Sequence, residues 1–538
     1  MDRIDILLSI TIITSFSIRL YPTLLTALPF STDSWPLIFN TENLLRHTPI
    51  SLEDKVFDGY NNYWPASQVF GAIASIILNA RVLDVERILF PATSSLTPII
   101  LYMIVKKTIG SRAAAAVSSL LLALGGYQAI FTSGVTKETF ILLVFFTYLY
   151  LVFVAGGTVT RCILLSITGA AIVMSHHLQY FLLLAIFSSI LVLRLLLRWV
   201  DDDGPIRLIP ALITLLILGA IYYPLYALRG VAFSLTTSDI LSVTSFQVLS
   251  LLLSYYALTG SGASTPPISL FIVWGSLYVA ASLTILLINQ LSPVLPGSPK
   301  LPASIVIQLS ILLMLGLLVS FGIGSSSRRE SSGNTYHMVG WLSAILSLQA
   351  YSMFGAQPAL SLTLFYRLAN HVLPPVFILA SNGLVRIIDF FRGKHLRVMC
   401  LAAIVLPISL TLVYQHYSST ILQENYLGYQ WSYNKAEYEF ASWLPGRIGN
   451  LRVCGDMKVK YLLEGYFRIR VDEAGGFKIL NGERLGEESL IVTYRVMGKN
   501  GYVLGPYGVE LKQGWVKSIS DRADKVFSNV FTEAYNVS

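Results

Sequence analysis

Two acids in apolar surroundings are the residues of this sequence best placed to do chemistry. Asp33 stands in PFSTDSWPLIFN, just past the first long apolar stretch and between Phe30 and Trp35. A carboxylate at a membrane surface beside such side chains is partly desolvated, which suits a general base or a metal ligand. The alternative is a turn residue or helix N-cap, the usual posts of a loop Asp. Glu138 lies in SGVTKETF beside Lys137, where another apolar stretch begins. An acid there is also favoured by the helix N-terminal dipole, although the spacing makes no regular capping box. Arg19, in SIRLYP, sits inside the first apolar stretch. An ionisable group at that depth is costly and points to function, unless its long side chain snorkels outward. Arg367, in LFYRLANHVLPP, can grip a phosphate with paired hydrogen bonds or serve as an interfacial anchor. His176 and His177 are adjacent in MSHHLQYFLLL. Neighbouring helical residues point about 100° apart, so both can face one metal only across a break. One of them can act as ligand or proton donor; the other reading is an interfacial polar pair. The sequence holds no GxxxxGK[ST] loop and no HExxH, GxSxG or CxxC framework.

The elements that must position these residues are membrane helices. Of the 538 residues 54% are hydrophobic and 13% charged, against about 25% charged in a soluble domain. The apolar residues come in runs of the length that crosses a bilayer, about 20 residues each, and such runs must be helices that satisfy their own backbone. Polar stripes at helical spacing, the mark of a soluble helix, are missing from runs such as 208–221 and 305–319. About thirteen transmembrane helices are expected by this length criterion: 4–28, 87–105, 112–126, 138–155, 161–177, 179–198, 206–226, 240–258, 268–288, 302–323, 337–355, 372–391 and 396–415. The first is too long for a signal-peptide core, which runs to about 15 residues, and reads as a retained helix. The stretch 63–78 is apolar but short and sits in a charged loop, so it reads as an interfacial or re-entrant helix.

The cations set the orientation. With the N-terminus inside, cytoplasmic loops hold Lys106, Lys107 and Arg112, then Arg161, Arg198 with Arg207, Arg328 with Arg329, and Arg392, Lys394 and Arg397. The net charge of +8 is then the retained loop cations and not a nucleic-acid surface. An odd number of crossings puts the C-terminal end outside. Residues 1–416 read as the membrane domain, including a first external loop at 29–86, and 417–538 as a small extracytoplasmic α/β domain. In that tail LRVCGD and SLIVTYRVMG read as strands, NKAEYEFASWL and MKVKYLLEGY as helices. Cys162, Cys400 and Cys454 form no disulfide framework.

Arg19 and Pro22 in the first helix, then Asp33, then a long loop with an apolar stretch, make a pattern that resembles the GT-C superfamily of membrane glycosyltransferases. RILFPATSSLTPIILYMIVKKTIGSRAAAAVSSLLLAL is a stretch typical of that group, and SGVTKETF resembles its second external acidic motif. MSHHLQYFLLL, FYRLAN and the closing DRADKVFSNVFTEAY look like archaeal members. The resemblance covers most of the chain and implies a sugar donor linked to a polyprenyl phosphate, dolichyl in archaea, used on the outer face. It implies that Asp33 is the catalytic base or a metal-linked acid, Glu138 the second acid, and Arg367 the holder of the donor phosphate. Arg19, His176, His177 and Lys137 are the further substrate-binding candidates. A divalent metal, Mg or Mn, is the cofactor such acids would hold. The chain departs from the oligosaccharyltransferase branch in three places. The tail has no WWD-type acceptor motif, its nearest phrase being YQWSYNKAEY; the loop 289–301 is short; and the second acidic motif has one acid beside Lys137. These departures point away from en bloc transfer of an oligosaccharide to asparagine.

The reading is therefore an inverting glycosyltransferase that moves a single sugar or short glycan to a glycan, lipid or protein acceptor. Its rival is a non-catalytic membrane protein, either a transporter or a relative that only binds glycolipid. A transporter pairs charges near the bilayer midplane, whereas here the titratable groups gather toward the expected external face. The topology is checked by labelling: Ser520→Cys in a background without Cys162, Cys400 and Cys454 should react with an impermeant maleimide on intact cells. Reaction only after permeabilisation overturns it.

Overall fold

A computed structural model describes residues 3–47, 57, 59–154, 159–197, 204–230, 236–259, 267–292, 300, 314–324, 335–356, 358–389, 391, 393–421, 426–449, 451–483, 487–504, 507–509 and 511–537. It is mostly helical, and each apolar stretch read above as a span includes helix among its described residues, the stretch 87–105 as parts of two helices, Val82–Ser94 and Thr97–Thr108. Seven helical stretches among them are long and apolar enough to cross a membrane: Ile6–Thr26, Val82–Thr108, His177–Leu197, Leu208–Leu225, Thr237–Thr259, Leu364–Asp389 and Lys394–Thr420. By contact the chain divides into two compact units. The first comprises Met1–Ile18, Thr93–Ala129 and Ile141–Gln415; the second comprises Arg19–Ala92, Ile130–Phe140 and His416–Ser538.

The first unit is a helix bundle tied by polar side chains, which substitute inside lipid for the missing hydrophobic drive between helices. Ser250 Oγ donates to the Ser343 carbonyl at 3.0 Å, Gln247 Nε2 to Ser189 Oγ at 2.9 Å, and Tyr148 OH to the Ala211 carbonyl at 2.8 Å. Leu249, Leu252, Leu253 and Tyr256 on one helix are exposed, as lipid-facing residues must be. Lys106, Lys107, Arg112, Lys394 and Arg397 are exposed, while Arg161 is buried, so it is no solvated loop cation. Arg198, Arg328, Arg329, Arg392 and most of the loop 289–301 lie outside the described residues.

The second unit joins the first loop to the tail. Its helices are Ser34–Arg46, Ala66–Leu78 and the start of Val82–Ser94. The stretch 63–78 forms a helix of 13 residues, about 20 Å long and short of the roughly 30 Å hydrocarbon core. The tail strands are β1 (Arg452–Cys454), β2 (Val471–Asp472), β3 (Ser489–Tyr494), β4 (Tyr502–Leu504), β5 (Tyr507–Val509), β6 (Asp524–Ser528) and β7 (Thr532–Val537). They make a five-stranded sheet in the order β2-β1-β3-β7-β6 and a β4-β5 hairpin. β1 pairs in parallel with β2 and β3, while β3-β7 and β7-β6 are antiparallel. All six residues of β3 are buried, which is why SLIVTY reads as an uninterrupted apolar-rich run. The expected tail helices are Lys435–Trp443, opened by a capping box of Asn434 and Glu437, and Met457–Leu463, capped by Asp456. Trp35 welds the loop to the tail: its ring is fully buried and lies 5.2, 5.8 and 5.6 Å from the rings of Tyr433, Tyr438 and Tyr466.

The polar centre of the tail is Asp456. Its Oδ1 accepts from the Val459 N–H at 3.0 Å, and Oδ2 from Tyr494 OH and from the Val503 N–H. Burial pushes its carboxyl up to about 6, with those hydrogen bonds and Lys458 holding it back. A carboxyl raised in the folded state contributes stability that is complete below its unfolded pKa near 4 and is lost as pH rises through about 6. The full-length protein should therefore lose up to about 3 kcal/mol between pH 4 and pH 6–7 through this residue. Thermal unfolding of Asp456→Asn across that range should show the loss flattened, and an undiminished slope in the variant assigns it elsewhere.

Candidate functional site

The first helix, Arg3–Thr26, ends in a turn whose backbone is forced. Ala27 and Ser31 adopt positive φ, 57° and 86°, a region that costs non-glycine residues on the order of 1–3 kcal/mol each. The turn is held by its surroundings. The Ser31 N–H donates to the Trp431 carbonyl at 2.9 Å. Ser34 Oγ donates to the Phe30 carbonyl at 2.6 Å and accepts from the Val135 N–H at 3.0 Å. Phe30 and Gly134 form a parallel β-bridge. A Cβ on Gly134 would stand 2.3 Å from the Phe30 carbonyl oxygen, so only glycine permits the approach. The segments that carry Asp33 and Glu138, about a hundred residues apart in sequence, are thereby stitched together inside one unit.

Asp33 occupies the N-cap position of the helix Ser34–Arg46, yet its side chain makes no cap hydrogen bond. The capping alternative is thus not its task. It is half-buried, and its charge is among those that, after burial itself and Glu437 and Asp456, push the Tyr433 phenol well above its ordinary value. Glu138 is the second residue of the helix Lys137–Phe153 and half-buried. The cap of that helix belongs to Thr136, whose Oγ1 accepts from the Thr139 N–H at 3.0 Å, so Glu138 is not spent on capping. Lys137 is 3% exposed, with its ammonium 5.8 Å from the centre of the Trp64 ring, a cation–π contact reaching over from the first loop.

Arg19 does not snorkel. It is fully buried, and its Nε donates to Thr132 Oγ1 at 2.9 Å, which ties the end of the first helix to the loop leading to Glu138. Trp431 wedges beside the same junction, its ring 6.0 Å from Phe30 and 4.8 Å from Phe131. It belongs to YQWSYNKAEY, the phrase noted for lacking an acceptor motif.

The remaining candidates belong to the first unit. His176 falls at the break between the helices Val159–Ser175 and His177–Leu197. The break lets the His176 and His177 rings stack, centres 4.9 Å apart at 16°, where a continuous helix would have splayed them. Gln179 Nε2 is 2.9 Å from His371 Nε2. His371 is one turn beyond Arg367 on the helix Pro358–Asp389, so the two share a face; the sequence reading passed over His371. Arg367 is half-buried. Among the described residues no three His, Cys, Asp or Glu side chains group as ligands of one metal ion. The two carboxylates on the stitched turns are nonetheless the hard oxygen donors that Mg²⁺ or Mn²⁺ takes, with water or phosphate oxygens completing the shell.

The helix bundle of the first unit and the α/β tail of the second are each similar in fold to parts of solved membrane glycosyltransferases. The crystal structure of the apo oligosaccharyltransferase from Archaeoglobus fulgidus matches with a TM-score of 0.56 at 14% identity, over 92% of this chain and 70% of that one. AglB of the same organism, solved with an inhibitory peptide and a dolichol-phosphate, matches at 0.50 and 13%, over 91% and 69%. ArnT from Cupriavidus metallidurans, bound to undecaprenyl phosphate, gives 0.41 and 12%, over 98% and 97%. No protein-family model and no curated protein matches the chain. At these identities the likeness is one of fold.

The stitch itself can be tested. Gly134→Ala places a methyl against the Phe30 carbonyl and the Ser31 side chain, and overpacking of that kind costs about 1–3 kcal/mol. The melting temperature should fall and the Ser31 amide should lose its protection from hydrogen exchange. A variant with unchanged melting and protection shows that the turns are held by other contacts.

Proposed function

We propose that the chain is an inverting glycosyltransferase that moves a sugar from a polyprenyl-phosphate donor to an acceptor hydroxyl on the outer face of the membrane. The observation that carries this reading is the junction of the turns 30–34 and 131–135, which sets Asp33 on a strained, clamped backbone with no capping duty. Strain of this sort persists only where the surroundings over-determine it, and it clusters at functional sites. The dolichol-phosphate bound to AglB, a relative in fold, supports a donor of this class.

In this mechanism the acceptor oxygen attacks the anomeric carbon from the face opposite the phosphate. The new C–O bond forms as the bond to the phosphate oxygen breaks, and the acceptor proton passes to the Asp33 carboxylate. The departing phosphate keeps the electron pair and needs positive charge rather than a proton. Arg367 is the ligand proposed for it, with Arg19 and Lys137 as the cations built into the unit of Asp33. Glu138 is the second acid. If a divalent ion binds, Asp33 and Glu138 hold it and it adds charge for the phosphate. The N-terminus is then cytoplasmic and the tail extracytoplasmic.

Asp33→Asn keeps the shape and removes the base. Transfer from polyprenyl-phosphate sugars by the purified protein should fall by about a hundredfold or more, the range of general-base groups. Melting temperature should hardly change. A variant that transfers as well as wild type takes Asp33 out of catalysis and leaves a glycolipid-binding protein as the better description.

A further inference from the structure

Glu86 takes no part in the chemistry above and is 1% exposed. Thr41 Oγ1 donates to its Oε1 at 2.7 Å. A Cβ on Gly71 would stand 1.8 Å from that same oxygen, so the helix Ala66–Leu78 leaves open the space that the carboxyl fills. Oε2 is buried without a hydrogen-bond partner. A charged carboxylate with so little to solvate it would carry a large burial cost, whereas a neutral carboxyl does not.

The helix against it is inside out. Ser67, Gln68, Gly71 and Ser75 are buried, while Ile73, Ile76, Ile77 and Leu78 are exposed. Such a helix needs a polar partner inside, and Glu86 is that partner. On its other side Glu86 holds Thr41, which lies about two turns after Asp33 on the helix that Asp33 opens. Thr41 Oγ1 also donates to the Leu37 carbonyl at 3.1 Å, so its hydroxyl is shared between its own helix and Glu86.

We propose that Glu86 is a positioning residue for Asp33: as a neutral carboxyl wedged over Gly71, it fixes the helix Ser34–Arg46 through Thr41 and so sets where the Asp33 carboxylate stands. The inference rests on the role of Asp33 as base. A displacement of about 1 Å caused by a change remote from the chemistry can cost about a hundredfold in rate, so the anchor matters although it touches no reactant.

Full-length protein in nanodiscs tests it through four variants. Glu86→Gln keeps the neutral shape and the oxygen that accepts from Thr41, so kcat and its pH profile should stay close to wild type. Thr41→Val, Gly71→Ala and Glu86→Leu should lower kcat by about ten- to a hundredfold at unchanged donor KM. Hydrogen exchange over residues 31–44 should rise in these three and not in Glu86→Gln. If Glu86→Leu fails to fold, the Thr41 and Gly71 variants carry the test. A Glu86→Gln variant as inactive as Asp33→Asn means that the carboxylate acts while charged, and the proposal fails. Wild-type kcat in Thr41→Val and Gly71→Ala makes the contact structural only, which also overturns it. Should the wild type transfer no sugar at all, the glycosyltransferase reading falls, and the exchange pattern alone decides whether Glu86 sets the Asp33 turn.

Discussion

The approach of the Phe30 carbonyl to the Cα of Gly134 is the contact on which the second unit depends. It is a short parallel bridge, reinforced by one serine hydroxyl and flanked by the Trp431 ring, which touches both turns. The left-handed backbone at Ala27 and Ser31 would relax if the turn were free, since each residue gives up on the order of 1–3 kcal/mol to stay there. Ser31 is held by the Trp431 carbonyl, and the Trp431 ring is held in turn by Phe30 and Phe131. Strain at the Asp33 turn is thus offset by contacts from the loop and the tail, and neither segment could hold it alone.

The apolar runs were legible because a bilayer imposes one requirement, length without charge, that needs no knowledge of neighbours. In the tail β1, β3 and two helices were legible from local pattern, since β3 is an apolar run bounded by polar residues and the helix Lys435–Trp443 opens on an Asn with Glu three residues on; β2 and β4 to β7 were not read. Asp33, Glu138 and Arg19 stood out because they are ionisable groups in apolar context. What could not be read is everything carried by contacts between distant residues. Trp35 meets Tyr433, Tyr438 and Tyr466 from the far end of the chain, and no periodicity announces such a cluster. The first loop reads as a loop by composition, yet it shares its compact unit with the tail.

Two cases show how the same local signal admits opposite structures. An arginine inside a membrane helix can snorkel or be buried, and the choice for Arg19 is made by Thr132, which is remote in sequence. Two adjacent histidines can splay or stack, and the choice for His176 and His177 is made by a helix break between Ser175 and His177. Glu86 is the harder case. In sequence it sits between Asp84 and Arg87, which form ion pairs of their own with solvent access, and nothing in DVER separates the buried acid from its half-buried neighbour. Only the gap over Gly71 does.

The environment of the stitched turns also bears on how charge can act there. Lys137 is buried against the Trp64 ring, and Arg19 is buried against a hydroxyl. In surroundings of low polarity a fixed cation acts over distance far more strongly than in water, and it costs no reorganisation when charge develops during a reaction. Departure of a phosphate needs this kind of field, because the phosphate leaves with its electron pair and without a proton. In the reaction proposed above, Arg19 and Lys137 are the buried cations that the unit of Asp33 contributes.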